Sequence, residues 1–238
     1  MKTMIVGASR GLGRALLEGL GKPGDTLIGV SRKQPKDLAL APGIGLYWID
    51  ADLSEPVAAV ARIADRTPAD LDVLIYNVGI WEEHAFSEHY AFSEDSDESI
   101  TRLVEVNVTA TLLLLKRLIP RLLGAPRPQL ILTGSTSALR QSGRPEVAFG
   151  ASKFALNGMA DALREGFRDD NLAVTVLQLG YLNTDDALST PLVQAAARGE
   201  RRWVPVHDVV NMVDALLRLS GASFVRELIL PAIGDERF

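Results

Sequence analysis

Short apolar runs alternate with longer helical patterns along most of this chain, and this alternation constrains the fold more than any other feature of the sequence. Segments such as TMIVG, TLIGV and QLILT are apolar without a break, as strands are when both faces of a sheet are covered. A helical crossover between successive strands makes those strands parallel. We therefore predict an α/β fold with a doubly wound parallel sheet of about seven strands and helices on both faces. The predicted strands are 3–7, 26–30, 45–49, 72–76, 129–133, 173–178 and 226–230, and the predicted helices are 11–21, 55–66, 99–123, 148–169 and 207–219.

The length and composition fit one domain. A chain of 238 residues with 47% hydrophobic content can bury one sizeable core, so we predict a single domain over residues 1–238. Two segments interrupt the alternation, an acidic loop at 81–98 and a long connection at 181–206. Both follow strands at the carboxyl edge of the predicted sheet, where open α/β sheets bind ligands. Because long connections in compact domains are often functional, we expect residues 181–206 to form a substrate loop or lid.

Charge and residue usage argue against several classes of function. The net charge of −5 and the pI of about 5.3 indicate no basic surface for nucleic acid. The chain has no cysteine and its three histidines (His84, His89 and His207) are scattered, so we expect neither a disulfide framework nor a metal site. The start of the chain shows no targeting pattern, and no apolar run reaches the length of a membrane span. We expect a cytoplasmic protein that acts on small molecules and binds neither nucleic acid nor membrane.

A glycine-rich loop, VGASRGLGRALLEGL, joins the first predicted strand to the first predicted helix and contains Gly7, Gly11 and Gly13. Glycine permits a tight turn and lets the backbone approach a pyrophosphate, which the amides at the start of the helix can hold. The pattern predicts a dinucleotide site in a sheet of the Rossmann type. The competing interpretation is a tight turn into a packed helix without a ligand.

The end of the second predicted strand distinguishes NAD from NADP. A carboxylate there would bind the ribose diol of NAD, whereas the 2′-phosphate of NADP requires a basic residue. The segment GVSRKQ has Arg32 and Lys33 at this point, no acid follows before Asp37, and Arg10 in the glycine loop adds a second guanidinium. Because arginine matches phosphate geometry, NADP is the predicted cofactor. The alternative is that Arg32 and Lys33 are solvated loop charges.

The segment VAFGASKFA places Phe149 four residues before Lys153. With tyrosine in place of Phe149, it would be the Y-x-x-x-K motif of the short-chain dehydrogenase/reductase family. The chain up to about residue 185 resembles that family in the order and spacing of its motifs. Asn107 in VEVNVTATLL and Ser135 in ILTGSTSAL match two further catalytic positions, although either hydroxyl residue after Ser135 could take its place.

The resemblance implies a role for each catalytic position. The tyrosine of the family protonates the carbonyl oxygen, and the lysine, here Lys153, lowers the pKa of that phenol and binds the nicotinamide ribose. Ser135 would polarise the carbonyl, and Asn107 would help to hold a water relay. The expected reaction is the NADP(H)-dependent interconversion of a small-molecule carbonyl compound and its alcohol.

The resemblance also implies a cofactor surface and an assembly. The segment QLGYLNTD is similar to the family's P-G-x-x-x-T loop near the nicotinamide, and IDADLS and YNVG are similar to segments at the adenine and beyond the fourth strand. Helices 99–123 and 148–169 would pair subunits in a homodimer or homotetramer. The implied cofactor residues are Gly7, Ser9, Arg10, Gly11, Leu12, Gly13, Arg32, Asp52, Leu53, Asn77, Gly79, Lys153, Gly180 and Thr184.

Phenylalanine has no proton to give, so Phe149 leaves three interpretations open. The chain is a natural reductase that is impaired or uses a substitute acid, for which Tyr181, Tyr90 and His89 are candidates. Alternatively, the tyrosine has been replaced deliberately to stop turnover. In the third interpretation, the chain is a catalytically silent NADP-binding sensor or regulatory protein.

Other positions bear on this choice. Departures from the family pattern at Val6, Tyr76 and Leu179 favour the silent protein, whereas the three matching catalytic positions favour an oxidoreductase.

The two long loops carry large apolar residues, among them Trp81 and Phe86, which suggest an apolar or aromatic carbonyl compound as the substrate.

Overall fold

The structure, a computed structural model, describes residues 1–237. The strands are β1 (Lys2–Val6), β2 (Thr26–Ser31), β3 (Gly45–Asp50), β4 (Val73–Tyr76), β5 (Gln129–Thr133), β6 (Ala173–Leu179), β7 (Leu182–Asn183), β8 (Val204–Pro205) and β9 (Glu227–Leu230). The α-helices are α1 (Gly11–Leu20), α2 (Pro56–Arg66), α3 (Asp97–Val104), α4 (Ala110–Leu122), α5 (Val147–Gly166), α6 (Leu192–Arg198) and α7 (Val206–Leu217). Short 3₁₀ turns cover Phe92–Glu94 and Thr136–Ala138.

The main sheet has seven parallel strands in the order β3-β2-β1-β4-β5-β6-β9, while β7 pairs with β8 separately. In the centre, Ile5 of β1 lies opposite Gly29 of β2 and Ile75 of β4. The chain winds outward in one direction from β1 and in the other from β4, so the loops after these two strands diverge and leave a crevice at the carboxyl edge. The predicted doubly wound sheet is confirmed. The edge strands β3 and β9 are less buried than predicted, because each lacks a neighbour on one side.

Helices cover both faces of the sheet. Because successive side chains of a strand point to opposite faces, Met4 and Val6 pack into the layer formed with α2, α4 and α5, whereas Ile5 packs into the layer formed with α1 and α7. All three side chains are fully buried. Full burial of a side chain of this size contributes roughly 1.5–3 kcal/mol. The two layers therefore hold the strand ends, and the loops that follow them, in fixed positions.

The helix predicted at 99–123 is divided in the structure. Ser96 caps its start, because the Ser96 hydroxyl accepts a hydrogen bond from the Ser99 amide at 3.1 Å, so α3 begins at Asp97. A π-helical turn over Glu105–Thr109 separates α3 from α4. In this turn the Ala110 amide donates to the Glu105 carbonyl, five residues back. The turn thus holds one residue more than a turn of α-helix.

The long connection at 181–206 folds back on itself and contains β7, α6 and β8. The Val204 amide donates to the Tyr181 carbonyl at 2.8 Å, and the Asn183 side chain donates to the Ala195 carbonyl at 3.1 Å. The first bond joins the two ends of the segment, and the second ties α6 to the start of the segment. Across residues 1–237, every helix is too short or too polar to serve as a membrane span.

Candidate active site

The glycine loop after β1 lies closely against its neighbours. Gly7 has a φ of +88°, and a Cβ on it would lie 2.3 Å from the Asn77 carbonyl oxygen. A Cβ on Gly13 would lie 2.0 Å from the carbonyl oxygen of Gly7. Both distances are far below van der Waals contact, so any other residue would force the backbone to move. Gly7 therefore forms the turn against the loop after β4, and Gly13 lets α1 approach that turn.

The start of α1 faces the crevice, and the backbone amides of its first turn are free of side-chain caps. Arg10 is the N-cap residue, but its side chain makes no bond to the first turn, and no acidic residue lies in that turn. Amides at a helix start lack intrahelical acceptors and carry partial positive charge, which suits an anion. Ser9, Gly11 and Leu12 line the cavity at this point. The loop therefore fits the pyrophosphate of a dinucleotide.

Charged side chains surround the far end of the crevice, beyond β2 and β3. Asp52 Oδ1 accepts hydrogen bonds from the Ser54 amide at 3.1 Å and the Ser54 hydroxyl at 2.9 Å, and these bonds lower the pKa of Asp52. Arg32 and Arg102 lie near enough to lower this pKa further. Both arginines and Arg10 line the cavity, and the side chains of Arg10 and Arg32 are exposed. This end can bind a polar ligand through a carboxylate and several guanidiniums.

Asn107 holds the loop after β4 in place. It lies in the π-turn, where its Oδ1 accepts from the Ile80 amide at 2.8 Å. Its Nδ2 donates to the Ile80 carbonyl at 2.7 Å and to the Ser152 hydroxyl at 3.0 Å. The side chain is buried, and its amide group is engaged by protein on both sides. Asn107 thus connects the π-turn with α5 and with Ile80, which directly follows Gly79, from behind the cavity.

Ser135 has a hydroxyl hydrogen to donate into the cavity. It follows β5 by two residues and caps the 3₁₀ turn, since its Oγ accepts from the Ser137 amide at 3.1 Å. Its own amide donates to Gln178 Oε1 at 3.0 Å. The two hydroxyl residues that follow it, Thr136 and Ser137, are buried, whereas Ser135 is half-buried. This exposure favours Ser135 as the hydroxyl that can reach a bound molecule.

Phe149 and Lys153 lie one turn apart on α5, and both are buried. Lys153 Nζ lies 5.6 Å from the centroid of the Phe149 ring and donates to the Thr133 carbonyl at 3.0 Å. Burial lowers the pKa of Lys153 from 10.5 to about 8. A Cβ on Gly79 would lie 3.0 Å from Lys153 Nζ, so glycine at that position lets the ammonium approach the cavity wall. The remaining ammonium hydrogens can bond hydroxyl groups of a ligand there.

Aromatic rings surround Phe149 on the cavity side. The Phe86 ring lies with its centroid 5.3 Å from that of Phe149 and 5.7 Å from that of Tyr181, and both pairs are perpendicular. Trp81 makes similar edge contacts with Phe86 and Phe149. Phe86 has a φ of +66°, an uncommon conformation for a bulky residue. These four side chains form an apolar end of the cavity that suits an aromatic ligand.

Two buried carboxylates fasten this aromatic region to α5. Glu82 Oε1 accepts from the Phe149 amide at 2.9 Å, and Glu146 Oε1 accepts from the Phe86 amide at 2.8 Å. Both side chains are almost fully buried. Glu82 thereby satisfies an amide in the first turn of α5, which would otherwise lack an acceptor. No local sequence pattern indicated either role, because each bond joins residues 60 or more positions apart.

A buried ion pair supports Tyr181. Arg144 Nη2 donates to Asp235 Oδ2 at 2.8 Å, and its Nη1 donates to the Tyr181 hydroxyl at 2.8 Å. The guanidinium also lies 4.5 Å from the centroid of the Tyr181 ring. The arginine and the aspartate are each less than 10% exposed. Sequence reasoning missed Arg144, which belongs to an irregular loop without periodicity.

One continuous cavity of about 880 Å³ joins these parts, a size typical of ligand pockets. The glycine loop and the charged end lie on one side of it, and Ser135, Phe149 and Lys153 on the other. The other catalytic and cofactor-binding residues predicted from the sequence also line it, except Asn107 and Gly13, which support the wall from behind. The candidate substitute acids Tyr90 and His89 are not among the lining residues. Lining residues that the sequence did not indicate include Ser54, Arg102, Arg144 and Asp185.

Comparison of sequences identifies relatives. The sequence model of the short chain dehydrogenase family matches residues 2–191. The NADPH-dependent pterin aldehyde reductase of Arabidopsis thaliana is 30% identical over 189 residues, which are 76% of this chain and 75% of the plant protein. The 3-oxoacyl-[acyl-carrier-protein] reductase FabG of Escherichia coli is 23% identical over 187 residues, which are 76% of this chain and 73% of FabG.

Comparison of structures shows the same fold. An alcohol dehydrogenase from the archaeon Thermococcus sibiricus, complexed with 5-hydroxy-NADP, has a TM-score of 0.80 at 21% identity and covers 98% of this chain and 96% of its own. The RhlG/NADP active-site complex of Pseudomonas aeruginosa has a TM-score of 0.77 at 22% identity, with coverage of 98% and 95%. The family match over residues 2–191 and the 30% identity to the plant reductase show that the chain belongs to the short-chain dehydrogenase family, whose members are oxidoreductases that bind a nicotinamide cofactor.

Proposed function

We propose that this chain is an NADP(H)-dependent oxidoreductase that reduces a carbonyl group to an alcohol, or catalyses the reverse reaction. We propose further that Phe149 slows the reaction, because it stands where the family has its acid. The observation that carries the proposal is the continuous cavity. It connects an anion-binding glycine loop with a group formed by Ser135, Phe149 and Lys153.

Two guanidiniums support NADP rather than NAD. Arg32 immediately follows β2, where sheets that bind NAD carry a carboxylate for the ribose diol. Arg10 lines the same cavity from the glycine loop, and both side chains are free to reach a phosphate. The plant relative is named for NADPH, and the archaeal and Pseudomonas structures contain 5-hydroxy-NADP and NADP.

The cofactor, when bound, supplies or accepts the hydride, and the residues of the chain orient the reactants. Lys153 is placed to bond ribose hydroxyls, and Ser135 is placed to donate a hydrogen bond to the carbonyl oxygen as negative charge develops on it. Asn107 keeps the wall beside Lys153 in position. The Phe149 ring fills the volume of a tyrosine ring but has no proton to transfer.

The surroundings of Phe149 support an aromatic carbonyl compound as the substrate. Four aromatic side chains line this end of the cavity, and the plant relative is named for a pterin aldehyde, which is a flat aromatic compound. We also propose that residues 1–238 act as a single domain in which the 181–206 segment serves as the substrate loop. Subunits would pair through α4 and α5.

Restoring the phenol tests the proposal. In Phe149→Tyr, Lys153 lies one turn away and would lower the pKa of the new phenol. NADPH-dependent reduction of aromatic aldehydes should therefore rise by roughly 10²-fold, at the lower end of what a positioned acid contributes. Phe224→Tyr is the matched control, because Phe224 is exposed and lies outside the cavity lining, so a phenol there should leave the rate unchanged. NADPH affinity, measured by fluorescence, should change little in either variant.

One observation favours a second function. Phe149, whose side chain has no acidic proton to transfer, stands at the centre of the site, and other aromatic rings pack against it. A protein that binds NADP without turnover, as a sensor or regulator, would keep its cofactor surface while losing the acid. If Phe149→Tyr binds NADPH but reduces none of a broad panel of ketones and aldehydes, this silent cofactor-binding protein becomes the better account.

A further inference from the structure

The proposed function leaves the proton unassigned, and the positions of the four tyrosines narrow its source. Tyr47 lies on the edge strand β3 and is exposed, while Tyr76 is fully buried in the core at the end of β4. Tyr90 lies in the loop before α3. Within residues 1–237, Tyr181 is the one tyrosine that lines the cavity.

The hydrogen bonds of Tyr90 and Tyr181 differ in whether they leave the hydroxyl hydrogen free. Tyr90 donates its hydroxyl hydrogen to Asp95 Oδ2 at 2.9 Å, so its proton is committed. The oxygen of Tyr181 instead accepts from Arg144, which has no acceptor atom to offer in return. The rest of the described chain supplies no acceptor for the Tyr181 hydrogen either. This hydrogen is therefore available to a molecule in the cavity.

Arg144 is placed to stabilise the phenol oxygen after a proton has left. Its guanidinium is fixed by the buried bond to Asp235 and contacts both the hydroxyl and the ring face of Tyr181. A charge-assisted hydrogen bond from a guanidinium strengthens when its acceptor becomes an anion. Burial raises the pKa of Tyr181, and Arg144 acts against that rise.

The sheet places Tyr181 and Ser135 after neighbouring strands. Strands β5 and β6 are neighbours with Thr133 opposite Leu177, and neighbouring strands lie about 4.8 Å apart. Ser135 stands two residues beyond the end of β5, and Tyr181 stands two residues beyond the end of β6. The two hydroxyl side chains thus follow adjacent strand ends and line one cavity.

We propose that Tyr181 is the catalytic proton donor of this protein and that Arg144 is its positioning residue. This inference rests on the proposed function. In the reduction, the carbonyl carbon accepts a hydride from NADPH, the π pair of the C=O bond moves to oxygen, and that oxygen takes the phenol proton. The products are the alcohol, NADP⁺ and a phenolate paired with Arg144, which then regains a proton from water.

A double-mutant cycle distinguishes a proton donor from a structural residue. Tyr181→Phe alone should lower kcat for aromatic aldehydes by about 10² or more. The same change in the Phe149→Tyr background should alter kcat little, because the phenol introduced at position 149 would then supply the proton. The exposed Tyr47→Phe is the control, with no change expected. A residue that only packs would lower kcat by the same factor in both backgrounds, and that result would overturn the proposal.

The second readout uses cofactor-free protein. Absorbance titration of the phenols should show one ionisation that disappears in Tyr181→Phe and moves to higher pH in Arg144→Met. An unchanged ionisation in Arg144→Met would overturn the role of the guanidinium. NADPH affinity should be the same in the unmodified protein and in Tyr181→Phe.

The outcomes separate this inference from the proposed function. If the unmodified protein shows no turnover while Phe149→Tyr is active, Tyr181 is not a donor, although the chain is still an impaired reductase. If Tyr181→Phe keeps the full kcat of the unmodified protein, the inference again fails alone. If neither the unmodified protein nor Phe149→Tyr binds NADPH or reduces a carbonyl, the proposed function itself is wrong.

Discussion

Replacement of Lys153 by methionine should stabilise the cofactor-free protein at neutral pH. The Lys153 side chain is 6% exposed, and burial lowers its pKa from 10.5 to about 8. This lowering of the pKa corresponds to roughly 3 kcal/mol of unfavourable free energy in the charged folded state. Methionine has a similar length and no charge, but it loses the hydrogen bond to the Thr133 carbonyl, which contributes about 1 kcal/mol. The expected net gain in the free energy of unfolding is therefore about 2 kcal/mol.

This gain should depend on pH in a defined direction. Below pH 8 the lysine is protonated in both the folded and the unfolded state, so the cost of the buried charge is complete. Between pH 8 and pH 10.5 the folded state releases the proton while the unfolded state still holds it. The stability contributed by this group in the unmodified protein therefore rises with pH, and the advantage of Lys153→Met shrinks.

Urea unfolding of cofactor-free protein at pH 7 and at about pH 10 measures both effects. Lys116→Met is a suitable control, because Lys116 is exposed on α4 and carries no burial cost. The difference in the free energy of unfolding between the variant and the unmodified protein is taken at each pH, because this difference cancels the titration of other groups. A burial cost at Lys153 is ruled out if Lys153→Met is less stable than the unmodified protein at pH 7, or if its gain in the free energy of unfolding is as large at pH 10 as at pH 7.

Two further results are expected. The protein should bind NADPH more tightly than NADH. The Arg32→Asp variant should narrow or reverse this difference in affinity, because it removes the partner of the 2′-phosphate. Fluorescence titration measures both affinities, and equal values for the unmodified protein would contradict this prediction. The protein should also be a dimer or tetramer through α4 and α5, where Leu112 and Phe154 are exposed. Light scattering should then show a multiple of 25.7 kDa, and Leu112→Glu should lower the mass; a monomer at micromolar concentration would rule the assembly out.

Features that depend on local chemistry could be predicted from the sequence. The apolar run QLILT at 129–133 forms β5 with the predicted bounds, because a strand buried on both faces requires such a run. The glycines at positions 7 and 13 occupy points where a Cβ has no room, so their spacing describes the turn directly. The parallel, doubly wound sheet followed from the alternation of strands and helices.

Features that depend on contacts between distant residues could not be predicted. Glu82 lies in the acidic 81–98 segment and Glu146 follows Arg144 and Pro145 in a polar stretch, yet both are buried and bond amides 60 or more residues away. The pairing of Arg144 with Asp235 spans 91 residues. Neither periodicity nor spacing reports such contacts, because only the folded sheet brings these segments to the same edge.

The π-turn at Glu105–Thr109 sets the rotational phase between two helices. Successive residues of an α-helix are rotated by about 100° about its axis. One extra residue therefore rotates every later residue about the axis by this angle. On one side of the turn, α3 packs against α5, and Leu103 belongs to the same buried cluster as Phe149. On the other side, α4 packs against α2. A continuous α-helix would present these two contact faces in a different relative orientation. Deletion of a single residue here would regularise the hydrogen bonds and turn an apolar face toward water, so this turn should tolerate insertions and deletions far less than the exposed loops do.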